Sequence, residues 1–333
     1  MSGAHVLPVF LTVDTELWPA QAGWPRRPLP ASKHDFSEEL AVDIHGQTSA
    51  GCYGLPYQIG CFNRHGLRAT YFVEALFSQR EGGAAALAHI CGLIQRGGHE
   101  VQLHLHGEWL AELDHPVQPR RHCQYLSQLP LAAQSELIKT GIAALAQAGV
   151  PGVQAFRAGS YGANLDTLRA LAQNGMHVDS SYNPSYLNGQ WGSRRIDQPC
   201  RIDGVWEFPI ASFHDFARHS RHAQLSACSS AELRHALLSA WRARWPAFVI
   251  VLHSFELIRK NGPGKLPSPH SRNIARLERL CSFLASERER LPTAVFSELA
   301  LQQWQEGGAL PPLHSRLSDS LWRVAEQGWS RFR

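Results

Sequence analysis

Ionisable side chains stand where strand-like runs end. The stretch VLPVFLTVDTE is apolar until Asp14 and Glu16, and GGHEVQLHLHGEW sets His104, His106 and Glu108 at alternate positions after a run that reads as a buried strand. Side chains two apart on an extended strand share a face. Asp14 and Glu16 therefore point together, as do His104, His106 and, where the extension persists, Glu108. Arg157, Asp179 and His253 stand at the ends of further strand-like runs. A lone histidine in such a place is ordinarily structural, but carboxylates and imidazoles gathered at the ends of several strands suit a divalent metal and an active site. Mixed nitrogen and oxygen ligands favour zinc, with cobalt, nickel or manganese as alternatives, over calcium or magnesium. An open position on such an ion holds a water of lowered pKa, a nucleophile for hydrolysis.

The elements that must position these groups alternate. After the first strand, residues 17–54 are rich in Pro, Gly and Trp without a sustained period, and read as a long insertion. Residues 54–67 predict a helix with Pro56 in its first turn, 68–76 a strand, 84–98 a helix closed by glycines, and 99–106 a strand. Apolar residues at three- and four-residue spacing predict a helix over 131–150. A strand at 153–159, a helix capped by Asn164 and strands at 176–181 and 204–210 follow. Residues 230–245 read as a helix feeding the strand 247–255, and 273–291 and 293–300 as a last helix and strand. Repeated strand–helix alternation implies a parallel sheet covered by helices, open or closed into a barrel, with ligands at the C-terminal strand ends. We expect one domain over 1–300 and a helical extension over 301–333 packed on its outside.

With 44% hydrophobic and 18% charged residues among 333, the chain is expected to fold as a globular protein, and its net charge of +4 is mild. No basic run interleaved with aromatics suggests a nucleic-acid surface; Arg120, Arg121 and His122 read as a solvated loop. No apolar run approaches a membrane span. The seven cysteines contain no C-x-x-C pair, which argues against a disulfide framework or a zinc knuckle and fits a reducing compartment. With no room for a signal peptide before the first strand, the expected location is cytoplasmic.

The segments TVDTE, GHEVQLHLH, FRAGSYG, VDSSYNP and VLHSFEL occur in the order of the five motifs of the NodB-homology polysaccharide deacetylases, carbohydrate esterase family 4. The chain resembles that family over residues 9–300, including the spacer HGLRATYFV. Its D-x-E first motif is similar to the branch near peptidoglycan deacetylases and allantoinase-like amidases. Its H-x-H second motif is similar to deacetylases of bacterial surface-polysaccharide clusters. The resemblance implies an irregular (β/α) barrel of about seven parallel strands and removal of N-acetyl groups from an N-acetylated sugar by water activated on a metal. By position it makes Asp14 the base, Glu16 and His104 metal ligands, Arg157 the residue orienting the base, His253 the general acid and Asp179 the acid tuning it. A backbone N–H near Ser160 or Tyr161 is the expected oxyanion donor, and Trp18, Trp24 and Trp109 are candidates to stack on sugar.

The second motif departs from the family's H-x-x-x-H, because Glu108 stands where the second histidine belongs. Either Glu108 ligates or His106 does. His106 is favoured, since it needs no turn after His104 and keeps two nitrogen ligands. The alternatives to a sugar deacetylase are a hydrolase of a small non-peptide amide, allantoinase-like, and a catalytically degenerate carbohydrate-binding or assembly protein.

Overall fold

The computed structural model describes residues 5–19, 36–119, 122–186, 190–192, 194–215, 219–262, 265–304, 306–308 and 310–329. Trp24, Arg120 and Arg121 fall outside them. Eight strands make one sheet: β1 (Val9–Thr15), β2 (Thr70–Glu74), β3 (Glu100–Leu105), β4 (Ala155–Ala158), β5 (Val178–Asp179), β6 (Cys200–Ile202), β7 (Val205–Glu207) and β8 (Phe248–His253). Their order is β8-β1-β2-β3-β4-β5-β7-β6, parallel throughout except for the last pair. The seven parallel strands match the expected number. The sheet curls, and Ile210 and Gln224 bridge to Val249 and Val251 on the other edge of β8.

Helices α1 (Leu55–Arg64), α2 (Gly83–Arg96), α3 (Leu131–Gln147), α4 (Leu165–Gln173), α5 (Ser230–Arg242) and α6 (Ser271–Ser286) have the predicted places. Asn164 caps α4 by accepting the Thr167 N–H at 3.0 Å, and Ser229 with Glu232 forms a reciprocal capping box on α5. Within the 17–54 insertion, residues 36–44 are helical and Gln47–Thr48 pairs with Gly51–Cys52.

Strand alternation sorts the core into two layers. Val9, Leu11, Val13, Leu103 and Leu105 face the helices, whereas Phe10, Phe72, Ala155, Val178, Trp206 and Phe208 face inward. Phe296 closes the bottom of the curl, stacked on Phe10 at 4.7 Å and edge-on to Phe208 at 5.5 Å. This corrects the expected last strand. Residues 293–300 make a single bridge to the sheet, Thr293 opposite Val9, and then turn under it. The Glu100 carboxylate accepts the N–H groups of Phe296 and Ser297 at 3.0 and 2.7 Å, in place of a strand neighbour.

The C-terminal helix α7 (Leu317–Trp329) docks on α5 through buried charge. Arg323 donates to Glu232 at 3.0 Å and to Asp215 at 3.4 Å, while Leu317, Leu321 and Trp322 are exposed. Among the described residues no helix is long and apolar enough to cross a membrane. Removing a cation from a buried pair strands its anions. Arg323→Ala should therefore lower unfolding stability in urea by about 3 kcal/mol, whereas Trp322→Ala should change it by less than about 0.5 kcal/mol; equal small effects would show that the helix is not docked by these charges.

Candidate active site

The inward face of β1 presents Thr12, Asp14 and Glu16 in succession, above the Phe10 layer. Arg157, fully buried on β4, organises this row. Its guanidinium lies over the Phe72 ring at 4.4 Å and donates to Thr12 Oγ1 at 2.8 Å, Asp14 Oδ1 at 2.7 Å, and the Ser180 carbonyl and hydroxyl at 2.9 and 3.0 Å. Its own carbonyl meets His104 Nδ1 at 2.7 Å.

That bond fixes a tautomer. A carbonyl only accepts, so His104 Nδ1 carries the hydrogen. In a neutral ring Nε2 then presents a lone pair, and it points at Glu16 Oε1 from 3.1 Å. His106 repeats the arrangement, with Glu108 Oε2 3.3 Å from Nδ1 and Glu16 Oε1 3.2 Å from Nε2. Glu108, the alternative second-motif ligand, thus meets the far nitrogen of His106 and lies outside the cluster of Glu16, His104 and His106. Without an ion, burial favours a neutral Glu16, but the imidazoles of His106 and His104 outweigh it and hold the carboxyl well below its usual range. Burial likewise opposes charge on His106, and Glu16 with Glu108 raises it well above the ordinary histidine value.

The placement of His106 depends on Gly159 in the third motif. A Cβ on Gly159 would lie 2.5 Å from the His106 ring. On its other side Trp18 packs edge-on at 5.0 Å. Ser160 and Tyr161, next in the motif, both have positive φ, 52° and 56°, a conformation that costs non-glycine residues of order 1 kcal/mol or more each and gathers at functional sites. They line a pocket of about 90 Å³ with Asp14, Glu16, Trp18, His106, His253 and Phe255. The buried Tyr161 hydroxyl has no hydrogen-bond partner among the described residues.

His253 ends β8 directly opposite Asp14 on β1, and its Nε2 lies 4.0 Å from Asp14 Oδ2. Its other nitrogen is 3.3 Å from Glu256 Oε1, which also accepts from Ser226 at 2.7 Å. Burial lowers the His253 pKa, but Glu256, and behind it Glu16 and Asp14, raise it to about 9.

Two expected site residues belong elsewhere. Asp179 is not the acid beside His253. Its neighbours Val178 and Ser180 face inward, so Asp179 points out of the curl, bonded by Ser181 at 2.6 Å and by Glu207. Burial raises both carboxyls of that pair. Trp109 is no sugar platform either. It is fully buried, donates to the Leu17 carbonyl at 3.2 Å and packs on Phe77. Glu256 and Glu74 were missed. Glu256 stands three residues after His253 in the same motif, a spacing that a turn brings together. Glu74 ends β2 as the other acids end their strands. It accepts the N–H groups of Leu76 and His106, and burial, against the His106 charge, lifts it to about 8.

No family model and no curated protein matches the chain. Among solved structures it is similar to a Mycobacterium smegmatis protein assigned as a polysaccharide deacetylase, with 17% identity over 94% of this chain and 96% of that one and a TM-score of 0.53. The chain has the NodB-like deacetylase fold. It is also similar to the 4-alpha-glucanotransferase of Thermococcus litoralis, with 11% identity over 94% of this chain and 42% of that one and a TM-score of 0.50. A NodB-like fold therefore does not decide chemistry by itself, and function has to be argued from the residues. For His253 the geometry makes a direct claim: in protein stripped of metal, an NMR titration should give a pKa near 9, falling by more than one unit in Glu256→Gln. An unchanged value would remove Glu256 as its partner.

Proposed function

We propose that the protein is a metal-dependent hydrolase that removes N-acetyl groups from an N-acetylated sugar of a surface polysaccharide or its precursor. One observation carries this reading. Two imidazoles, each committed through Nδ1 to an acceptor, turn their Nε2 atoms on the same oxygen of Glu16, and the other oxygen of that carboxylate is buried without a partner among the described residues. With neutral rings these are acceptors facing an acceptor, which a cation between them satisfies; without the ion a proton on His106 takes that place. Glu16, His104 and His106 suit zinc best, or cobalt, nickel or manganese, and Glu108 with the Arg157 carbonyl fixes the two rings as outer partners do in metal sites. Bound there, the ion would polarise the acetyl carbonyl and lower the pKa of a water.

The chain's own residues supply the rest. Asp14, held at Oδ1 by Arg157, keeps Oδ2 toward the pocket and takes the proton of the attacking water. An amide nitrogen leaves poorly as an anion, so cleavage requires a proton on it. His253, charged at neutral pH and held by Glu256, delivers that proton from Nε2. Ser160 and Tyr161 close the wall where the acyl oxygen would sit, through the strained turn's backbone N–H groups and the unpartnered Tyr161 hydroxyl. The pocket is small, about 90 Å³. It suits an acetyl group and leaves the sugar ring outside, against Trp18 and Phe255. The spacing of the seven cysteines, with no C-x-x-C pair, fits a reducing compartment, and we take the reaction to be cytoplasmic, on a nucleotide- or lipid-linked precursor.

Asp14→Asn should lose at least about 100-fold in acetate release from N-acetylhexosamine substrates while keeping its metal; loss of the ion with the activity would make Asp14 a ligand instead of a base. The wild-type rate should fall on the alkaline side as His253 loses its proton, and an ion on Glu16 moves that fall below the metal-free value of about 9. Hydrolysis of ureides alone would replace the sugar reading with the allantoinase-like one, and protein that takes up no ion at Glu16, His104 and His106 would be a degenerate binding protein.

A further inference from the structure

Away from the pocket, α1 and α6 bring a second set of ligating atoms together. Cys61 on α1, His65 at its C-terminal end and Glu278 on α6 place a thiol, an imidazole nitrogen and a carboxylate oxygen within 4.8 Å of one another. Cys281, one turn beyond Glu278 and fully buried, neighbours Cys61, whose thiol together with burial raises its pKa far above the ordinary thiol range. Cys61 with His65 and Glu278 with Cys281 are pairs at four- and three-residue spacing, so each pair lies on one side of its helix. Both thiols are fully buried, and His65 and Glu278 stand at the mouth, on the wall of an open groove with Arg234 and Phe283.

The surroundings fit a cation. Tyr57 and Arg64 both donate to Glu278 Oε1, at 2.9 and 2.7 Å, while Oε2 faces His65 Nε2 from 3.9 Å. A third group points to the same place: the buried Tyr71 hydroxyl has no hydrogen-bond partner among the described residues and senses both Cys61 and Cys281 electrostatically. Two thiols, an imidazole and a carboxylate from two facing helices are a donor set for a closed tetrahedral site.

We propose that Cys61, His65, Glu278 and Cys281 bind a thiophilic divalent cation, zinc in the cell, that clamps α1 to α6. Binding releases the two thiol protons to solvent and leaves two thiolates and one carboxylate around a doubly charged ion. Arg64, already on Glu278, offsets the remaining negative charge. This donor set differs from the sulfur-free cluster of Glu16, His104 and His106, so the two sites are distinguishable by spectroscopy. No linear motif displays it, because its halves come from opposite ends of the chain.

The test is cobalt titration of the full chain, stripped by chelation and kept reduced with a phosphine. Wild type should develop a thiolate-to-cobalt charge-transfer band that saturates at about one equivalent. Glu16→Ala should leave the band intact, Cys61→Ser and Cys281→Ser should abolish it, and His65→Ala, at a partly exposed position tolerant of change, should weaken cobalt binding at least about tenfold. Absence of the band in wild type, a band insensitive to His65→Ala, or a Cys61–Cys281 disulfide in protein purified without oxygen would each overturn the proposal. None of these outcomes bears on the pocket, which holds no sulfur.

Discussion

The structure of the site turns on one buried cation. Arg157 sits on the aromatic floor of the curled sheet, and a guanidinium there demands compensation. Asp14 supplies the charge, while Thr12 and Ser180 take the remaining donors. The backbone of the same residue fixes His104 through its carbonyl. The proposed base and the first imidazole are therefore placed by a single residue of β4, the strand that pairs with β3 beside His104 and runs on into the turn of Ser160 and Tyr161. Above that layer the carboxylates and imidazoles can be crowded because each has a committed partner.

Much of this was legible in the sequence, and the reason is the two-residue period of a strand. Asp14 with Glu16 and His104 with His106 were expected to share a face, and they do. The same period explains the failure at Asp179. A short strand read as MHVDSS has an acid at its end, but whether that acid faces the pocket depends on parity, which Val178 settles by facing inward. Position in a motif did not carry that information. Trp109 failed for another reason: a tryptophan beside a motif is as readily core as rim, and the turn after His106 rolls it into the layer under Phe77.

The last predicted strand shows a different limit. Residues 293–300 have the composition of a strand, yet the N–H groups of Phe296 and Ser297 are taken by a side chain, Glu100. No local pattern announces a carboxylate two hundred residues away in sequence standing in for a neighbour. Glu256 stands only three residues from His253, but the resemblance implies Asp179 for the role, and only the turn after β8 shows which acid reaches the imidazole. The H-x-H departure, by contrast, is explained across motifs: Gly159 leaves room for the His106 ring, and Glu108 moves to its far nitrogen. The second motif and the third have to be read together.

The central claim is that His106, and not Glu108, completes the ion site with Glu16 and His104. Anomalous diffraction from crystals soaked in zinc tests it most directly. The account predicts one peak with Glu16 and both Nε2 atoms at about 2.0–2.2 Å and Glu108 still on His106 Nδ1. A peak ligated by Glu108, or none between these three residues, would contradict it.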